Sequence, residues 1–139
     1  MAQTVREVMT ENVVTLQGSA PLTDAARRMK DADIGDVIVM ADGEMCGMVT
    51  DRDIVVRAIA QGRDPQSTTL DEICTHQLAT VGPDDSVDQA IQIIRERAVR
   101  RVPVVEGGRP VGIISIGDLA IERDHDSALA DISAAEGNN

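Results

Sequence analysis

A tract from Gly47 to Ile54, Gly-Met-Val-Thr-Asp-Arg-Asp-Ile, returns sixty-five positions later, from Gly112 to Leu119, as Gly-Ile-Ile-Ser-Ile-Gly-Asp-Leu. The same offset holds without a gap over about fifty residues. Val5-Arg6-Glu7-Val8-Met9-Thr10 lies over Leu70-Asp71-Glu72-Ile73-Cys74-Thr75, Ala25 over Ala90, Val37 over Val102, Val39 over Val104 and Gly43 over Gly108. Such a chain is one structural unit written twice, and two copies are too few for an open solenoid. In a chain of 139 residues each copy buries too little of its own surface to be comfortable alone, so the halves are expected to pair.

The periodicity within each copy says what the unit contains. Leu22, Ala25, Ala26 and Met29 recur at helical spacing after Pro21, and Val87, Ala90, Ile91 and Ile94 repeat the pattern after Ser86. Two β-rich runs follow, Asp36 to Met40 and Met45 to Val49, and the Asp42-Gly43 between them is a strong hairpin signal. Their counterparts are Val102 to Val105 and Val111 to Ile114. A short β-branched run from Asn12 to Leu16 precedes the first helix, and a further helix follows each hairpin, so each copy reads β-α-β-β-α. The expected layout is residues 1–62 as the first repeat, 63–69 as linker, 70–123 as the second repeat and 124–139 as a tail. In that tail Leu129 and Ile132 have the spacing of a short amphipathic helix.

Phe, Tyr and Trp are all absent, so the core must be aliphatic and base stacking on aromatic side chains is excluded. The net charge of −11 opposes attachment to polymeric nucleic acid or to an anionic membrane, since both need a positive surface field. No apolar stretch approaches the length of a membrane span or a signal peptide, and a cytoplasmic location is expected. Cys46 and Cys74 stand in apolar surroundings without metal-ligand spacing and read as buried thiols rather than a disulfide or redox pair. His76 and His125, with no clustered third ligand, read as polar surface residues. No nucleophile with its base and no metal set is legible, so the chain is not expected to be an enzyme.

The repeated tract supports two readings. Thr50 with Asp53, and Ser115 with Asp118, form the pattern of a capping box ahead of an apolar helix, contributing about 1 kcal/mol per cap. The same geometry offers free N–H donors to an anion and a carboxylate to both hydroxyls of a ribose. The densest basic cluster, Arg95, Arg97, Arg100 and Arg101, lies between the second helix and its hairpin.

Taken in order, Val-Arg-Glu-Val-Met-Thr, Gly-Met-Val-Thr-Asp-Arg-Asp-Ile, Arg-Arg-Val-Pro-Val-Val and Gly-Ile-Ile-Ser-Ile-Gly-Asp-Leu resemble a tandem CBS-domain pair, or Bateman module, of the stand-alone bacterial type. The resemblance covers residues 5–123. It implies an α+β (α/β) fold in which two repeats pack sheet to sheet with pseudo-twofold symmetry. It also implies clefts for adenosine-containing ligands: AMP, ADP, ATP or S-adenosylmethionine.

Carried over position by position, the resemblance assigns Asp118 to the ribose hydroxyls, Ser115 to ribose or phosphate, and Arg100 and Arg101 to phosphate, with adenine beside Thr15, Val37 and Ile38. The pseudo-symmetric cleft would use Thr50, Asp53, Thr80, Val102 and Pro103, but Gly35 and Asp36 stand there in place of the two arginines. One competent site, at Ser115 and Asp118, is the expectation. The resemblance further implies a homodimer and an effector on a separate polypeptide. The competing expectation is a ligand-independent interaction module in which both boxes only cap helices.

Overall fold

A computed structural model describes residues 3–123 of the chain, and side chains as far as Ala120. The expected tail helix around Leu129 and Ile132, and His125, lie outside the described residues. The described elements are α1 (Val5–Val8), β1 (Thr15–Gln17), α2 (Leu22–Ala32), β2 (Asp36–Ala41) and β3 (Glu44–Thr50). There follow α3 (Asp51–Asp53), running on as a π-helix over Ile54–Ile59, then α4 (Leu70–Ile73), α5 (Val87–Arg97), β4 (Arg101–Glu106), β5 (Arg109–Ser115) and α6 (Ile116–Arg123). This is the α+β architecture of short helices on small sheets. No helix among the described residues is long and apolar enough to cross a membrane.

The chain divides into two compact units. One is Val14–Leu78; the other joins the described residues before Val14 to those from Ala79 onward. The leading turn of each repeat therefore docks with the body of the other. Val5 N–H donates to the Asp85 carbonyl at 2.8 Å, while Leu70 N–H donates to the Ala20 carbonyl at 2.9 Å. Both side chains are wholly buried, Val5 with Val81, Val87 and Val102, and Leu70 with Leu22, Val39 and Val49. Removing an aliphatic side chain of this size from water contributes about 1.5–3 kcal/mol, enough to fix where a four-residue turn sits.

Within the Val14–Leu78 unit the strands run in the order β1-β2-β3, with β1 parallel to β2 and β2 antiparallel to β3. Asp42 and Gly43 turn the hairpin at φ 54 and 81°, the paired positive values of a type I′ turn. The other unit turns between β4 and β5 on Gly107 and Gly108, at φ 60 and 80°. Each hairpin carries a bulge one residue before a buried glycine, so Cys46 and Val111 are the extra residues ahead of Gly47 and Gly112.

The units differ in their first strand. Val81 makes only an isolated parallel bridge to Val104, where its counterpart Leu16 sits inside β1. Gly18 N–H donates to the Met40 carbonyl at 2.9 Å, and the matching residue is Pro83, which has no N–H to give. Gly82 N–H goes instead to Asp85 Oδ2 at 2.8 Å.

The helix after β3 also departs from a plain amphipathic pattern. Ala60 N–H reaches back five residues to the Val55 carbonyl at 2.8 Å. Ile54 and Ala58 are buried, while Val55 and Ile59 are 57% and 52% exposed, so the apolar run is split between core and surface.

Candidate ligand-binding site

α6 begins where β5 ends, and the junction is locked by Ser115 and Asp118. Asp118 N–H donates to Ser115 Oγ at 3.1 Å, and Ser115 N–H donates to Asp118 Oδ2 at 2.9 Å. This is the capping box expected from the spacing, and it leaves only part of the carboxylate to do anything else. The Thr10 side chain adds a smaller favourable influence on the ionised form of Asp118. Burial pushes the Asp118 carboxyl above its ordinary range, against the bonds from Ser115 and the influence of Thr10 that favour the ionised form.

β4 brings the two arginines to the same junction. Arg101 stands opposite Ser115 in the β4–β5 register, and the Arg100 carbonyl accepts the Ile116 N–H at 3.0 Å. Arg100 is exposed and Arg101 half-buried. The backbones of four residues singled out from sequence, Arg100, Arg101, Ser115 and Asp118, therefore meet at one junction.

The Val14–Leu78 unit repeats the box. Asp53 N–H donates to Thr50 Oγ1 at 3.1 Å, and Thr50 N–H donates to Asp53 Oδ2 at 3.0 Å. Here Asp36 stands opposite Thr50, and the Gly35 carbonyl accepts the Asp51 N–H at 3.0 Å. An acid and a glycine thus hold the backbone stations that the arginines hold in the other unit. Arg57, one turn beyond, places Nε 3.7 Å from Asp53 Oδ1. Its guanidinium also donates to the Ile73 carbonyl at 2.9 Å and to Thr75 Oγ1 at 3.2 Å.

Of the remaining singled-out residues, Thr15 is exposed and sits beside Ile38 in the parallel β1–β2 register, with Val37 and Ile38 wholly buried. Thr80 is exposed and precedes Val81, whose N–H donates to the Pro103 carbonyl at 3.1 Å; Val102 and Pro103 are buried. Sequence reasoning did not single out Thr10, Thr75 or Arg57. The two threonines match across the repeat and were visible there; Arg57 was marked only by its position four residues after Asp53.

Cys46 and Cys74 are both free thiols, the first half-buried and the second buried. Burial, with the charges of Cys46 and Asp71 nearby, pushes the Cys74 thiol up to about 11. The His76 ring is a close neighbour, with Nε2 3.3 Å from Cys74 Sγ. Among the described residues no group of three His, Cys, Asp or Glu side chains is placed to hold a metal ion.

The CBS-domain model matches this sequence twice, over residues 5–59 and 70–124. The chain belongs to the CBS-domain family. It is similar to the CBS domain-containing protein YhcV of Bacillus subtilis, at 37% identity over 133 residues, covering 93% of this chain and 94% of that protein. It is also similar to the solved Hypoxic Response Protein I with two coordinated zinc ions, at 35% identity and a TM-score of 0.76, covering 86% and 98% of the two chains. The CBS domain pair of protein MJ0100, solved with 5′-methylthioadenosine and S-adenosyl-L-methionine, shares the fold at a TM-score of 0.81 and 23% identity, over 91% of this chain and 100% of that one. A tandem CBS pair is a regulatory module, and this chain carries both members.

Proposed function

We propose that the chain is a ligand-sensing module that binds an adenosine-containing molecule at the junction of β5 and α6, and passes its occupancy to a separate effector protein. The observation that carries this reading is the meeting of the Arg100–Arg101 backbone with the Ser115–Asp118 box at one junction. Asp118 accepts from the ribose hydroxyls, Ser115 contacts ribose or phosphate, and Arg100 and Arg101 pair with phosphate through charge-assisted bonds. The family fold is compatible with such ligands, as the complex of MJ0100 illustrates. AMP, ADP and ATP fit the arginine pair best, while S-adenosylmethionine presents the same adenosine with a carboxylate as its anionic group in place of phosphate.

The same reading makes Thr50 and Asp53 the weaker second site, because Gly35 and Asp36 replace the arginines. A cytoplasmic homodimer without catalytic activity completes it. The other reading, a ligand-independent interaction module, draws on the closed capping boxes and on the exposed Val55, Val56 and Ile59.

Thermal shift separates the two. A ligand at a hundredfold excess over its dissociation constant adds about 2.7 kcal/mol of stability. Stabilisation by AMP, ADP, ATP or S-adenosylmethionine in the wild type, lost in Asp118→Ala, is the expected result. A flat response to the whole panel, NAD included, removes the sensor reading.

A further inference from the structure

The two capping acids have the same local partners but different third neighbours. In one unit the third group acting on Asp118 is the Thr10 side chain, which favours the ionised form. In the other, the matching Thr75 and Asp53 are bridged by a guanidinium: Arg57 lies 3.7 Å from Asp53 Oδ1 through Nε, and donates to Thr75 Oγ1 at 3.2 Å. A further bond to the Ile73 carbonyl at 2.9 Å anchors the bridge to the chain behind it. The residue matching Arg57 in the second repeat is Glu122, so the cation has no counterpart in the sequence there.

Asp53 is 16% exposed, and its two oxygens face the Thr50 amide on one side and Arg57 on the other. A neutral hydroxyl approaching Oδ1 must compete with a cation tethered to the same chain.

We infer that Arg57 is a specificity-determining residue, a built-in occupant of the Asp53 carboxylate that confines adenosine binding to the Ser115–Asp118 half. The inference rests on the sensor reading above, and goes beyond it by naming the residue that silences the second half. It differs from the loss of arginines at Gly35 and Asp36, which weakens phosphate contacts and leaves the carboxylate untouched.

The test is calorimetric titration of the full chain with AMP, comparing wild type with Arg57→Met. Arg57→Gln serves as a second variant that keeps a donor for the Ile73 carbonyl while removing the charge. One AMP per chain in the wild type and two in both variants is the expected result, with Asp53→Asn returning the Arg57→Met chain to one. One AMP in all chains, or two already in the wild type, overturns the inference and leaves the sensor reading standing. No binding by any chain overturns both.

Discussion

Gly47 and Thr75 approach so closely that a Cβ on the glycine would stand 2.7 Å from the Thr75 carbonyl oxygen and 2.9 Å from Cys74 Sγ. The contact is held by a pair of backbone bonds, Met48 N–H to the Thr75 carbonyl at 3.1 Å and Thr75 N–H to the Met48 carbonyl at 3.0 Å. Gly112 repeats the approach in the other unit, where a Cβ would meet Met9 Sδ at 2.6 Å and the Thr10 carbonyl at 2.9 Å. Thr10 and Thr75 are therefore positioned by glycines on the facing strand.

Gly47→Ala is expected to cost about 1–3 kcal/mol, because the added methyl meets a carbonyl already committed to a bridge. Gly112→Ala is expected to cost less, since part of its clash is with a flexible thioether. Urea denaturation midpoints at constant m-value measure both. Equal stability of Gly47→Ala and wild type would show that the linker after α4 is not held against β3.

Asp118 ties stability to pH in a direction opposite to the usual surface carboxylate. Its folded-state pKa is raised by burial, so the fold favours the protonated form. The associated stability is fully present below the ordinary aspartate range, around pH 4, and is lost as pH rises through the folded value. At neutral pH the ionised side chain therefore burdens the fold.

Asp118→Asn keeps an oxygen for the Ser115 amide and removes the charge. It is expected to raise the denaturation midpoint at pH 7, with the gain shrinking toward pH 4, while binding to the AMP panel is lost. A variant that is more stable and yet inert to ligand is what a carboxylate retained for function predicts. A lower midpoint for Asp118→Asn at pH 7 would show that the ionised cap outweighs burial.

Much of this was legible before any coordinates. The hairpin of β2 and β3 announced itself through Asp42-Gly43, and the aliphatic faces of α2 and α5 through their spacing, because both signals are local. The capping pairs were legible for the same reason. What the pattern did not carry was the exchange of leading turns, since Val5-Arg6-Glu7-Val8 and Leu70-Asp71-Glu72-Ile73 are similar enough to dock on either body. The split of the run Ile54 to Ile59 between core and surface was hidden too. A π-turn changes the number of residues per revolution, so positions that look equivalent at helical spacing point in different directions. Arg57 escaped notice because its three partners come from α3, from the end of α4 and from the linker beyond it.

The thiols give a third prediction. Burial raises both, and Cys74 the further, to about 11. The thiolate is the reactive form, so Cys74 is nearly inert at pH 8 in the folded chain. A disulfide-exchange reagent is expected to titrate Cys46 slowly in native buffer and both thiols at once in denaturant. Two fast thiols under native conditions would contradict the burial of Cys74 and, with it, the seating of the α4 segment.

Ala98 supplies the last. It ends α5 in the left-handed conformation at φ 53°, as its counterpart Asp33 ends α2 at φ 54°. In each case the N–H of the capping residue returns to a carbonyl one turn back, Ile94 for Ala98 and Met29 for Asp33. Left-handed backbone costs a residue with a Cβ roughly 1–2 kcal/mol, and glycine escapes that cost while giving up about 0.5–1 kcal/mol of chain entropy. Ala98→Gly is thus expected to stabilise the fold by about 0.5–1 kcal/mol. Asp33→Gly is expected to gain less, because a short polar side chain already tolerates this region better than alanine does. Thermal denaturation of the two single variants measures the order. A gain for Asp33→Gly at least as large as that for Ala98→Gly would show that the aspartate draws no local benefit from its side chain. A loss in both would show that the helix ends are not held in the left-handed turn at all.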